Sequence, residues 1–198
     1  MSDHYYSKKP QTESCPISFN TSLRGISLSF LTDRGVFSKG DIDFGSRLLA
    51  ETFQLPEIDG SILDVGCGYG PLGITISKAF PNREVTMIDI NERAVGLAKN
   101  NAERNDAKVT VVQSDLFENV SGNYAAVITN PPIRAGKQIV HNVFSGAYSL
   151  LSDEGELWVV IQKKQGAPSA LEALGEQFGE VETVVKKKGY YIIKAKKV

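Results

Sequence analysis

Cysteine is scarce in this chain. Its 198 residues include two, Cys15 and Cys67, far apart and outside any CxxC spacing. Neither a zinc site nor a disulfide framework is suggested, and a reducing cytoplasm is the expected compartment. Long apolar runs are missing too; no stretch approaches the roughly 18–20 residues needed to span a bilayer. The opening MSDHYYSKKPQTES lacks the apolar segment of a secretory signal. Histidine is limited to His4 and His141. Neither has a recognisable catalytic setting, so both are read as structural or surface residues. No repeat or low-complexity tract occurs, and the length suits one domain with a full core.

Net charge is nearly absent, at −1, but it is unevenly spread. Residues 1–160 hold 14 Lys/Arg against 19 Asp/Glu, whereas residues 161–198 hold 8 Lys against 4 Glu. The basic tail, with KKK at 186–188 and Lys194, Lys196 and Lys197, has two readings. It contacts a phosphate backbone, or it is a solvated strand edge whose lysines discourage aggregation.

What is present is an alternating texture. ISFNTSLRGISLSFLT alternates apolar and polar residues around Arg24-Gly25, which predicts a β-hairpin. IDFGSRLLAETF repeats at helical spacing, with Asp41 as the expected cap and Pro56 just beyond its end. From residue 61 the runs at 61–65, 84–90, 108–113, 124–129 and 155–162 read as strands, and those near 71–80, 91–104, 137–151 and 168–178 as helices. Strands apolar throughout are covered on both faces, hence a mainly parallel α/β sheet. VETVVKKKGYYIIKAKKV has two β-rich runs meeting at Gly189, an antiparallel hairpin closing the sheet. The expected organisation is one domain: an N-terminal extension, residues 1–57 (tail, hairpin, helix), packed on a core of residues 58–198.

LDVGCGYGPLGI, residues 63–74, follows a strand and opens a helix. Gly66, Gly68 and Gly70 let the backbone turn tightly and meet a ligand without a Cβ in the way. The dinucleotide pattern GxGxxG would need glycine at 71, where Pro71 stands, which argues against a pyrophosphate loop. Asp89 ends the next strand, where it either accepts bonds from a ribose diol or caps the helix that follows. Asp64, Asp89 and Asp115 end three successive strands and line up carboxylates along the carboxyl edge, where open α/β sheets bind ligands. A phosphate ligand fits that edge poorly. A cationic, polyhydroxylated one such as S-adenosylmethionine suits it.

DVGCGYG, Asp89, SDLF and NPPI, in this order and spacing, resemble class I S-adenosylmethionine-dependent methyltransferases. HYYS and RGVFSKGDIDFGSRLL extend the likeness to the catalytic domain of small-subunit ribosomal RNA guanine-N2 methyltransferases, and NPPIRAGK is similar to their single-domain branch. The resemblance implies a Rossmann-like seven-stranded sheet with helices on both faces. It implies a cytoplasmic enzyme for rRNA processing that uses S-adenosylmethionine, needs no metal or membrane, and works as a monomer or weak homodimer. Asp64, Gly66, Gly68 and Gly70 would hold the methionine end, and Asp89 the ribose hydroxyls. Asp115 and Leu116 would border the adenine, with Cys67, Ile90, Ser114 and Asn130 completing the lining. Phe37 and Lys39 would close over cofactor or target, although Phe37 also reads as a core aromatic beneath its loop.

Asn130, Pro131, Pro132 and Ile133 are the expected catalytic residues. An exocyclic base amine is a weak nucleophile because its lone pair is delocalised into the ring. Two acceptors, the Asn130 side-chain oxygen and the Pro131 carbonyl, orient its N–H bonds and stabilise positive charge developing on nitrogen. The prolines place both acceptors in advance. Related amine methyltransferases follow Asn-Pro-Pro with an aromatic that stacks on the flipped base; Ile133 offers no such face. Arg134 and Lys137 either meet phosphates or lie in an exposed loop. The expected substrate is ribosomal RNA or the small subunit. The alternatives are a protein glutamine, a DNA adenine, or RNA binding without catalysis. The longer relatives carry a second domain that this chain is expected to lack.

Overall fold

The computed structural model describes residues 7–38 and 40–198; His4, Tyr5 and Tyr6 of HYYS, and Lys39, lie outside the described residues. Among the described residues nine strands and five α-helices follow in chain order: β1 (Ile17–Leu23), β2 (Ile26–Thr32), α1 (Phe44–Thr52), β3 (Ser61–Val65), α2 (Pro71–Ala79), β4 (Val85–Asp89), α3 (Glu92–Arg104), β5 (Val109–Gln113), β6 (Tyr124–Thr129), α4 (Lys137–Leu150), β7 (Leu151–Gln162), α5 (Ala167–Gln177), β8 (Glu180–Lys187) and β9 (Tyr190–Lys196). β1 and β2 pair alone. The other seven form one sheet in the order β5-β4-β3-β6-β7-β9-β8. β5 through β7 run parallel, and β9 and β8 are antiparallel, so the hairpin does close the sheet.

Period-two alternation sorts the sheet's side chains between two cores. Ile62, Ala126, Ile128, Trp158, Val160 and Ile192 face the helices α1, α2 and α3. Leu63, Val127, Leu157, Val159, Ile161 and Ile193 face α4 and α5. Helices therefore cover both faces. The connection from β5 to β6 carries no helix; Phe117 fills that space, and Gly146 on α4 is needed because its Cβ would overlap the Phe117 ring.

The N-terminal hairpin is fastened to α3 by two asparagines one helical turn apart. Leu31 N–H donates to Asn101 Oδ1 at 2.7 Å, and Asn101 Nδ2 donates to the carbonyls of Leu31 and Tyr69, both at 2.8 Å. Asn105 does the same for Ser29, at 2.9 and 2.8 Å. Side-chain amides thus satisfy the strand's outer backbone groups, as a third strand would.

Two boundaries differ from the sequence reading. Asp43, not Asp41, caps α1: its carboxylate accepts from Ser46 N–H at 3.0 Å, while Asp41 pairs with Arg47 at 3.2 Å. β7 begins at Leu151 rather than 155, directly where α4 ends, because Leu151 pairs with Tyr124 at the start of β6 ahead of an irregularity.

Candidate active site

A cleft of about 950 Å³, counting its open mouth, lies along the carboxyl ends of β3, β4 and β6. Its floor is the turn between β3 and α2. Gly66 and Gly68 have φ of +72° and +57°, and a Cβ on either would meet nothing within 4 Å, so both hydrogens face open space. Gly66 N–H and Cys67 N–H both donate to Ile88 O at 2.9 Å, fixing the turn against β4. Gly70 is the left-handed cap of α2 and stands behind the cleft wall.

Asp64 points from β3 toward α2 and is buried, at 1 % exposure. One carboxylate oxygen accepts from Gly73 N–H at 2.9 Å. A Cβ at Gly73 would overlap the Met87 side chain, so only glycine allows that approach. Desolvation, helped by the nearby Asp89, pushes the Asp64 carboxyl up to about 7, despite the opposing pull of Gly73 N–H.

Asp89 accepts from Gly68 N–H and from Asn91 N–H, both at 2.8 Å, which ties the turn to β4. Desolvation raises its pKa as well. It is not the helix cap: Asn91 takes that place, accepting from Arg93 and Ala94 N–H at 3.0 and 3.2 Å. Asn91 also donates to Gly35 O at 2.9 Å, and Arg93 donates to Arg34 O at 2.6 Å. The start of α3 therefore holds the loop carrying Val36, Phe37 and Ser38 against the cleft. Phe37 is 43 % exposed at the mouth, so it is no core aromatic.

β6 brings Asn130 to the opposite wall. Thr129 Oγ1 donates to Val65 O at 2.9 Å and locks the strand end to β3. Asn130 Nδ2 donates to Asp43 Oδ2 at 3.2 Å and to Ser46 Oγ at 3.0 Å. A carboxylate only accepts, so this pairing fixes which end of the amide faces α1. Next along the chain, Pro131 O accepts from Ile133 N–H at 2.8 Å. Pro132, at φ −75° and ψ 77°, centres this inverse γ-turn. The turn occupies one lone pair of the Pro131 carbonyl and leaves the other.

Of the residues expected from sequence, Phe37, Asp64, Gly66, Cys67, Gly68, Asp89, Ile90, Ser114, Leu116, Asn130, Pro131 and Pro132 line this cleft. Three described ones do not. Gly70 is set back, and Asp115 lies outside because β5 stops at Gln113 and Leu116, at φ +47°, takes the wall position. Ile133 turns into a second cavity between α4 and α5, with Lys137, His141 and Phe144. His141 stacks on Phe144 there, with centroids 6.2 Å apart, a structural setting. Sequence reading missed Asp43, Ser46 and Asn91. Asp43 and Ser46 were legible as an N-cap pair three apart, but Asp41 drew the assignment.

A family model described as methyltransferase small domain matches residues 27–194. The chain belongs to this family. Among curated relatives, the methyltransferase small domain chain is 56 % identical to the uncharacterized protein YbxB of Bacillus subtilis (strain 168), covering all of both chains. It is 35 % identical over 91 % of its length to ribosomal RNA small subunit methyltransferase C of Vibrio parahaemolyticus, of which it spans 52 %. Among solved structures, it superimposes on the T. thermophilus 16S rRNA N2 G1207 methyltransferase in complex with AdoMet and guanosine, with a TM-score of 0.81. That likeness, at 24 % identity over 96 % of this chain and 52 % of the other, is one of fold.

Proposed function

We propose that this chain is an S-adenosylmethionine-dependent N-methyltransferase whose target is guanine N2 of small-subunit ribosomal RNA. The observation carrying this reading is the anchored Asn130 amide: Asp43 and Ser46 engage its nitrogen, so its oxygen is left to receive a substrate N–H.

The cofactor is supported by the fit of the opposite wall. The glycine turn is a cradle that two Cβ atoms would fill. Beside it the buried Asp64 and the half-buried Asp89 are in no ion pair among the described residues, which suits an ammonium group and a ribose diol. Leu116, Ile90 and Ser114 line the same cleft and suit the adenine. When bound, S-adenosylmethionine supplies an electrophilic methyl on a sulfonium.

The chain's own residues then act on the acceptor. Asn130 Oδ1 and the spare lone pair of Pro131 O orient the two N–H bonds of a planar amine. They also stabilise the positive charge that grows on its nitrogen. Because both oxygens are held before substrate arrives, little ordering accompanies the reaction. Phe37 at the mouth offers the aromatic face that Ile133 lacks. No proton-abstracting side chain is needed; the methylated amine, cationic after transfer, would lose its proton to solvent water.

Relatives named for ribosomal RNA support the RNA substrate, over the half of their length that this chain spans. The test is incubation with methyl-labelled cofactor and unmodified small subunits, naked 16S RNA, duplex DNA or release factor. Label in RNA, recovered as N2-methylguanosine after nuclease digestion, is the expected result. Label confined to protein or DNA overturns the proposal.

A further inference from the structure

β7 runs parallel to β6, β9 runs antiparallel to β7, and β8 runs antiparallel to β9. The end of β7, the start of β9 and the end of β8 therefore meet at the edge where Asn130 sits. Lys163 N–H donates to Gly189 O at 2.8 Å and joins the segment after β7 to the β8–β9 turn. This junction gathers Lys163, Lys164, Lys186, Lys187 and Lys188, all exposed. Among the described residues none of the five is in an ion pair. Lys194 and Lys196, further along β9, instead meet Glu182 and Glu154, each at 2.6 Å. Lysines that merely guard a strand edge would be spread along β8. Here the other exposed positions of that strand are Glu180, Glu182 and Val184, and the lysines crowd at one end.

An aromatic step links them to the acceptor oxygens. Phe44 follows Asp43, the residue that anchors Asn130. Its ring lies 5.3 Å from that of Tyr190, and Lys188 Nζ sits 5.0 Å from the Phe44 centroid. Gly45 makes room for Tyr190, whose ring would lie 2.9 Å from a Cβ there. Cationic tracks beside partly exposed rings are how single-stranded nucleic acid is held without sequence readout.

We infer that this outer half of the carboxyl edge docks single-stranded RNA: bases stack on Phe44 and Tyr190 while phosphates follow the five lysines away from Asn130. The inference rests on the function proposed above and gives that site its path for the substrate strand. Duplex RNA hides its bases from such rings, so a loop or unpaired segment is the form recognised.

The test is the triple variant Lys186→Ala/Lys187→Ala/Lys188→Asn, the asparagine chosen for the left-handed φ of +48° at residue 188. Fluorescence anisotropy with a labelled single-stranded RNA fragment reads its affinity at several salt concentrations. The affinity is expected to fall roughly tenfold to a hundredfold, and the log–log salt slope to become shallower by about two, as for three lost phosphate contacts. In methylation of 16S RNA the KM rises with kcat held. Lys78→Ala/Lys99→Ala/Lys108→Ala, matched in charge but remote from this junction, retains wild-type binding. Equal loss in both triples, or none in the first, overturns the inference while RNA methylation by the wild-type chain still stands. Failure of the wild-type chain to label RNA overturns the function itself.

Discussion

The two halves of the sheet's carboxyl edge are opposites. Around β3 and β4 the charges are acidic and turned inward; around β7, β9 and β8 they are basic and turned outward. A buried carboxylate acts through low dielectric and suits a small cation that fills the space. An exposed lysine is screened within about 10 Å, so only several together, against a polyanion, amount to much. One edge can thus select a compact positive ligand inside and a long negative one outside. Asn130 stands at the boundary between them.

The largest expected effect lies at that boundary. Asn130→Ala should slow methyl transfer about 10²–10³-fold, the usual loss of one preorganised acceptor or donor. Binding of S-adenosylhomocysteine, followed by calorimetry, should change only slightly. Wild-type turnover in this variant would break the division between a binding half and a reacting boundary.

Gly66→Ala tests the inner half alone. The new Cβ would point into the open cleft, so affinity for S-adenosylhomocysteine should fall about 100-fold. Stability should drop by only ~1–2 kcal/mol from the left-handed φ. Comparable losses in thermal melting and in binding would refute the cradle.

Asp64 sharpens the contrast through pH. Its folded pKa, about 7, exceeds the ordinary 3.8, so the folded state keeps a proton that the unfolded chain has released. Stability is therefore full below pH 3.8 and declines as pH rises to about 7, by roughly 4 kcal/mol at most. Asp64→Asn should melt higher than wild type at pH 8 and little differently near pH 4. A cationic ligand favours the carboxylate, so wild-type affinity should rise with pH up to about 7 and then level, and the variant should lose that rise. A flat wild-type binding profile would remove Asp64 from the ammonium site. The smallest effect belongs to Phe37→Ala at the exposed mouth: about fivefold weaker substrate binding with an unchanged melting temperature.

Most of the architecture was legible because the strands buried on both faces are apolar without interruption and are punctuated by glycine or acid. β6, YAAVIT, is buried at every position. The glycine turn was legible because its backbone geometry needs residues without a Cβ. Side-chain relays across sequence were not. Asp43 and Ser46 lie 87 and 84 residues from Asn130, and nothing local in either stretch announces the contact. Asp115 and Ile133 show the opposite failure. Each sits beside residues that do line the cleft, but an early strand end and a γ-turn rotate them away, and such turns leave little trace in a pattern of apolar residues.

The pair Asn101 and Asn105 has one more consequence. A two-stranded ribbon standing apart from the main sheet would normally offer its flank to any passing chain and invite polymerisation. Here the amides on α3 already occupy that flank at Ser29 and Leu31, so the ribbon has no vacant backbone there to share. Crowded solutions should leave this flank of β2 inert unless the helix itself peels off.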